Sequence, residues 1–193
     1  MDRIDFGPWR PTPRGGRPTR WTTASEAVAA IPEGARVFIA GDVMIPDDIN
    51  SFIDETRSHF GHLDILVNNA GGAGVLLPTV DMPFDDWEMT IRWNLHSTFI
   101  ATKRALPGMI EQGWGRIINI SSVEGKVGKP VITAYVAAKH GIVGLTKGVA
   151  REVGTTGVTV NAICPGLILT DIVMENGPRT AAAMGISPGT VKW

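Results

Sequence analysis

Short apolar runs alternate with longer segments of helical periodicity along most of this chain. Four runs rich in Val, Ile and Leu have the length of buried strands. In the segments between them, apolar residues recur every three to four positions, which is the period of an amphipathic helix. The predicted strands are 36–40, 63–68, 116–120 and 158–163, and the predicted helices are 47–60, 84–112, 133–154 and a short one over 180–184.

Strands that alternate with helices of this length indicate βαβ units and a parallel sheet. We therefore predict an α/β fold, an incomplete doubly wound (Rossmann-like) parallel sheet with helices on both faces. Residues 1–23 have neither period and are rich in Arg and Pro, so we predict an irregular or disordered tail there. The remaining residues, 24–193, are expected to form one partial Rossmann-like domain.

The composition narrows the function classes. With 193 residues, 44% hydrophobic and 19% charged, the chain is typical of one globular domain. A net charge of −1 gives no reason to expect nucleic acid or an anionic membrane as a partner. No apolar run reaches the ~18 residues of a membrane-spanning helix. The single cysteine, Cys164, cannot form an internal disulfide, which favours the cytoplasm, and the histidine spacing predicts no metal site.

One stretch carries chemistry that can be read from its spacing. The predicted strand 116–120 ends at Ser121 and Ser122, and the following helix carries Tyr135 and Lys139 on one face, four residues apart. A phenol has a pKa of about 10, and a nearby ammonium could lower that pKa into the range of acid–base catalysis. The alternative is that the tyrosine and the lysine merely share a solvated helix face.

Other motifs accompany this pair in a fixed order. They are N-N-A-G at 68–71, W-N-L around Asn94, I-S-S at 120–122, Y-x-x-x-K at 135–139 and C-P-G-x-I-x-T at 164–170. Over residues 26–184 this ordered set resembles the short-chain dehydrogenase/reductase (SDR) family. The resemblance implies an NAD(P)-dependent oxidoreductase that moves a hydride between nicotinamide and a secondary alcohol or its ketone.

The resemblance also implies roles for individual residues. Tyr135 would be the general acid/base, Ser122 would polarise the carbonyl, Lys139 would hold the nicotinamide ribose, and Asn94 would position a water. Taken alone, Asp42 could instead be a helix cap, Asn94 an exposed helix residue and Thr170 an N-cap. The residues expected to bind NAD or NADP are Asp42, Val43, Asn68, Ala70, Gly71, Tyr135, Lys139, Pro165, Gly166, Ile168 and Thr170.

The chain departs from the family at the phosphate-binding loop. The family's T-G-x-x-x-G-I-G turn, whose amides cradle the cofactor pyrophosphate, is not found in this sequence. The residue that selects NAD over NADP is also missing, so the preference between them is not predicted. We expect the chain alone to have weak or no activity. A second hypothesis is therefore an inactive remnant that acts by association with other subunits.

The expected partners follow from the same resemblance. They are a small-molecule alcohol or ketone and further copies of the chain, held through the helices near 84–112 and 133–154. The segments expected to line the substrate pocket, around 73–80, 123–132 and 171–193, form a mixed apolar set in which we find no diagnostic charge. The sequence therefore does not predict which alcohol or ketone is bound.

Overall fold

The computed structural model of the protein describes residues 42–168 and 171–187, and the side chains of 171–176 stand outside that description. Within these residues, three strands alternate with helices in the predicted order. The strands are β1 (Ile65–Asn68), β2 (Gly115–Ile120) and β3 (Val158–Ile163). The helices are α1 (Pro46–Phe60), α2 (Phe84–Ile91), α3 (Ser97–Glu111), α4 (Thr133–Glu152) and α5 (Asp171–Ala183).

The three strands form a parallel sheet in the order β1-β2-β3. Leu66 lies opposite Ile117, and Ile117 lies opposite Val160, so these three side chains share one face of the sheet. The prediction of a Rossmann-like parallel sheet is confirmed. The predicted strand 36–40 and the predicted tail 1–23 lie outside the described residues, so the division at residue 24 stays a prediction.

The hydrophobic core lies between one face of this sheet and the helices α1, α3 and α4. Ile53 of α1, Met109 of α3 and Ile117 of β2 are each at most 1% exposed in this core. Burying a side chain of this size stabilises the fold by roughly 1.5–3 kcal/mol. On the opposite face, the described side chains of Ile65 and Val67 are about half exposed.

Two helices differ from the prediction. The predicted helix 84–112 consists of α2 and α3 joined by a π-helical turn over Arg92–His96, which the unbroken apolar period did not reveal. The predicted short helix 180–184 is longer, because α5 begins at Asp171 and continues through Pro178. A proline inside a helix removes one backbone hydrogen bond, and for that reason Pro178 obscured the helical pattern before it.

None of the described helices combines the length and the apolar character that crossing a membrane requires.

Candidate active site

The carboxyl ends of β2 and β3 are joined at one rim of the sheet. The amide of Ser121 donates to the Ile163 carbonyl over 2.8 Å, and the amide of Val123 donates to the Pro165 carbonyl over 2.8 Å. Parallel strands place their carboxyl ends at the same edge, and in this fold class ligands bind there. The structure therefore brings the I-S-S and C-P-G segments together.

Lys139 is almost completely buried beneath this rim. Its side chain is 3% exposed, and its Nζ donates to the Ile120 carbonyl over 2.9 Å. The hydroxyl of Ser121 donates to the Lys139 carbonyl over 2.9 Å, which fixes the helix against the strand end. Burial lowers the pKa of Lys139 to about 8, because the charged form loses hydration.

Tyr135 lies one helical turn before Lys139, and the lysine Nζ is 5.3 Å from the centroid of its ring. Burial raises the pKa of Tyr135, a hydrogen bond with Ser122 acts in the opposite direction, and the Glu124 carboxylate raises the pKa further. The expectation that Lys139 lowers this pKa is wrong for the structure described. Helical spacing placed the two side chains on one face but did not show that the ammonium binds the Ile120 carbonyl.

Ser122 is buried and has an acidic neighbour. Its hydroxyl donates to Oε2 of Glu124, and the Glu124 amide donates back to the serine Oγ over 3.3 Å. The two residues open a short 3₁₀ turn over Val123–Gly125. A carboxylate therefore lies beside the serine and tyrosine hydroxyls, in a segment where we expected no diagnostic charge.

Asn94 lies in the π turn and is fully buried, so the alternative of an exposed helix residue is wrong. Its Oδ1 accepts from the Gly72 amide at 3.2 Å, and its Nδ2 donates to the Gly72 carbonyl at 2.9 Å. Single π turns within α-helices occur frequently at functional sites. The π turn over Arg92–His96 directs the side-chain amide of Asn94 at the loop that follows β1.

That loop contains the N-N-A-G motif and approaches both Asn94 and Lys139. Gly71 has φ +150°, and a Cβ there would lie 2.3 Å from Asn94 Oδ1 and 3.5 Å from Lys139 Nζ. A Cβ on Gly72 would lie 2.5 Å from the ring of Trp93. Only glycine fits these two positions without displacing a neighbour, and it leaves backbone accessible for a close approach by a ligand.

Behind the loop, a buried amide network joins the strands to the helices. Asn68 Nδ2 donates to Asn119 Oδ1 over 2.8 Å and to Thr102 Oγ1 over 3.3 Å. Asn119 Nδ2 donates in turn to Thr146 Oγ1 over 2.9 Å. The network occupies the side chain of Asn68, so this residue can contact a ligand through its backbone.

The remaining predicted cofactor residues have less defined surroundings. Ala70, Gly166 and Ile168 are exposed, and Thr170 lies outside the described residues. Asp42 accepts from the Met44 amide over 2.8 Å in the turn before α1, and Val43 packs against the core. This contact is local to the turn and does not cap α1, whose N-cap residue is Ile45 and which has no side-chain cap, so the role of Asp42 toward adenine stays a prediction.

Two residues of this rim were missed by the sequence reasoning. Asn119 is the central member of the amide network, and Glu124 receives the Ser122 hydroxyl. An Asn inside an otherwise apolar strand was a signal for the first, because a buried amide needs partners. The second could have been noted as an acid two residues after the predicted catalytic serine.

The fold and the rim together define a class. A parallel Rossmann-like sheet presents a tyrosine, a serine and a buried lysine at its carboxyl edge, beside a glycine-bearing loop, as in nucleotide-dependent α/β enzymes. Residues 17–181 match the family model described as short chain dehydrogenase. The chain belongs to the short-chain dehydrogenase family.

Curated relatives and solved structures agree with this assignment. The chain is 44% identical to D-beta-hydroxybutyrate dehydrogenase of Rhizobium meliloti (strain 1021), covering 89% of this chain and 66% of that protein. It is 41% identical to 3-oxoacyl-[acyl-carrier-protein] reductase of Synechocystis sp. (strain ATCC 27184 / PCC 6803 / Kazusa), covering 78% and 62%. The chain thus spans about two thirds or less of the length of these relatives.

Among solved structures, NAD⁺-bound xylitol dehydrogenase superposes with a TM-score of 0.74 at 31% identity, covering 80% of this chain and 61% of that one. The protein ElxO with NADP bound superposes with a TM-score of 0.68 at 33% identity, covering 76% and 58%. The cofactors named in these two structures differ, so the likeness does not distinguish NAD from NADP.

Proposed function

We propose that the protein is an NAD(P)-dependent oxidoreductase that interconverts a secondary alcohol and its ketone. The observation that carries the proposal is the placement of Tyr135 beside Ser122, directly above the buried Lys139 at the carboxyl edge of the sheet. The relatives named as dehydrogenases and reductases support it.

In ketone reduction, Tyr135 donates its phenolic proton to the carbonyl oxygen as that oxygen gains negative charge. The raised pKa of Tyr135 keeps the phenol protonated at neutral pH, so the proton that the carbonyl oxygen takes up is present before the reaction. On substrate binding, the Ser122 hydroxyl would turn from Glu124 to this oxygen and donate to it, which orients the carbonyl toward the phenol. In alcohol oxidation the phenolate accepts the proton instead, so oxidation should accelerate as the pH rises.

The residues around the loop suit a nicotinamide cofactor. A bound cofactor of this type supplies the hydride in reduction and accepts it in oxidation. An ammonium has three N–H donors and the Ile120 carbonyl takes one, so Lys139 can donate to the hydroxyls of a ribose. Gly71 and Gly72, with the backbone of Asn68 and Ala70, would lie along the cofactor. Ile168 and Thr170 would hold its carboxamide, and Pro165 and Gly166 would contact the cofactor nearby.

Asn94 would keep this loop in place, and it would order a water that links Lys139 to the solvent. Asp42 and Val43 would contact the adenine. The inactive-remnant hypothesis is not favoured, because the relatives are named as enzymes. The expectation that the isolated chain turns over slowly is untested and stays a prediction.

The outer surfaces of α3 and α4 support association with a second copy. A groove of about 240 Å³ runs between them, lined by Phe99, Leu106 and Val149 among others. Phe99 is 48% exposed and Ile110 is 42% exposed, which favours burial against another apolar surface. Replacing Phe99 by Glu should shift the protein toward monomer in light scattering after gel filtration.

A cytoplasmic location, supported by the single cysteine, is part of the same proposal.

The test of the proposed reaction is NAD(P)H oxidation at 340 nm with a panel of ketones. The wild type should show weak but measurable turnover, and Tyr135→Phe should lower kcat at least 100-fold because it removes only the phenolic hydroxyl. A hydroxybutyrate dehydrogenase relative serves as the positive control. Turnover that Tyr135→Phe leaves unchanged would contradict the proposal.

A further inference from the structure

Glu124 is a charged group at the reaction site that the proposed mechanism does not use. It accepts the hydroxyl proton of Ser122, and its carboxylate is close enough to Tyr135 to affect the phenol electrostatically. The backbone fixes this placement, because Ser122 caps the 3₁₀ turn of which Glu124 is a member. The carboxylate is therefore held at the rim by its own turn.

The negative charge of Glu124 has no ion-pair partner in the part of the chain that the structure describes. The ion pairs found there join His62 to Asp64 and Arg104 to Asp54. The buried ammonium of the site, on Lys139, donates to the Ile120 carbonyl. A substrate entering the site therefore meets a carboxylate that none of the described ion pairs neutralises.

The position of the reacting oxygen follows from the two hydroxyls that bind it. An oxygen held by Ser122 and Tyr135 is one hydrogen-bonded step from the serine Oγ, which is itself one step from the Glu124 carboxylate. Two such steps span roughly 5–6 Å. The carboxylate of a 3-hydroxy acid lies two bonds from the reacting carbon, so it would come within roughly 8 Å of Glu124. At that separation, in a partly buried site, two like charges repel enough to change binding by about tenfold or more.

We propose that Glu124 selects against substrates that carry a negative charge near the reacting carbon, so that the site accepts neutral or cationic alcohols and ketones. This inference rests on the proposed function, since it concerns the substrate class of the same site. It distinguishes the chain from any relative that acts on an anionic hydroxy acid, even one of high sequence identity.

The test compares a charged and a neutral substrate with the same carbon skeleton. The pair is 3-hydroxybutyrate and its ethyl ester, oxidised with NAD⁺ or NADP⁺ by the full chain. The wild type should prefer the ester by at least tenfold in kcat/KM. Glu124→Gln keeps an oxygen that can accept the Ser122 hydroxyl but removes the charge, so it should shift the ratio about tenfold toward the acid.

The matched control is Glu111→Gln, which removes one negative charge from an exposed position at the end of α3. This variant should leave the ratio unchanged. A wild type that prefers the acid, or a ratio that Glu124→Gln does not move, would overturn the inference.

A second readout separates this inference from the proposed function, because it needs no turnover. Tyr135 is the only tyrosine in the chain, so its ionisation can be followed alone by the rise in absorbance at 295 nm. Glu124→Gln should lower the midpoint of this titration, while Glu111→Gln should not. If neither substrate reacts, the proposed function fails for these substrates and the titration alone decides. A lowered midpoint of the Tyr135 titration then supports the placement of Glu124 beside the phenol. An unchanged midpoint overturns the inference.

Discussion

Lys139 should make the stability of the protein depend on pH in a defined window. Its pKa is lowered by burial to about 8 in the folded protein, whereas a lysine in an unfolded chain has a pKa of about 10.4. Between these two values the unfolded state binds more protons than the folded state. The free energy of unfolding therefore rises with pH across this window, and the lysine is most destabilising below pH 8, where it is charged in both states.

The size of this effect follows from the width of the window. Each pKa unit corresponds to about 1.36 kcal/mol, so the two units from pH 8 to pH 10 set a ceiling of about 2.7 kcal/mol. We expect about 2 kcal/mol, because the folded-state lysine is already half deprotonated at pH 8 and the unfolded-state lysine has begun to deprotonate at pH 10. The raised pKa of Tyr135 acts with the opposite sign, but only above pH 10, where an unfolded tyrosine ionises.

The assay is urea unfolding at pH 7, 8, 9 and 10, followed by tryptophan fluorescence, for the wild type and Lys139→Met. The difference in unfolding free energy between them isolates the lysine, because all other groups titrate equally in both proteins. The wild type should gain about 2 kcal/mol relative to Lys139→Met between pH 8 and pH 10. Lys147→Met, at an exposed position of the same helix, should show no such gain. A difference in unfolding free energy that stays constant with pH would refute the conclusion that Lys139 is buried with a lowered pKa.

Three further substitutions test the loop, the amide network and the core. Gly71→Ala places a Cβ 2.3 Å from Asn94 Oδ1, so cofactor affinity measured by fluorescence should fall at least tenfold; unchanged affinity would argue against the loop geometry. Thr146→Val removes the acceptor of Asn119 Nδ2 and should cost about 1–3 kcal/mol in urea unfolding, whereas Thr146→Ser should cost much less. Ile117→Ala should cost about 2–5 kcal/mol, and a loss as small as that from the half-exposed Ile163→Ala would contradict the described core.

Periodicity predicted the sheet well because buried parallel strands are continuous apolar runs. β2 and β3 lie within a residue of their predicted bounds, and the ordered motifs predicted that Ser122 and Tyr135 would approach each other. The π turn around Asn94 was not predictable in this way, since one irregular turn hardly alters the spacing of apolar residues.

The electrostatics of the site depended on contacts that spacing does not encode. The direction of the Tyr135 pKa shift depends on burial, on the hydrogen bond with Ser122 and on the Glu124 carboxylate, which are set by tertiary structure. The contact between Ser122 and Glu124 requires the 3₁₀ turn that follows β2. The sequence alone showed two residues of unremarkable type at positions 122 and 124, without the turn that brings them together.

The central claim is that this chain binds a nicotinamide cofactor at the carboxyl edge of its sheet. The most direct measurement is a titration of the purified protein with NADH and NADPH, following tryptophan fluorescence. Trp93 packs against Gly72 in the loop proposed to line the cofactor, so it should be quenched on binding, and Trp93→Phe should remove much of the signal. We predict saturable quenching by at least one of the two cofactors at micromolar concentrations. An absence of saturable binding up to millimolar cofactor would contradict the account.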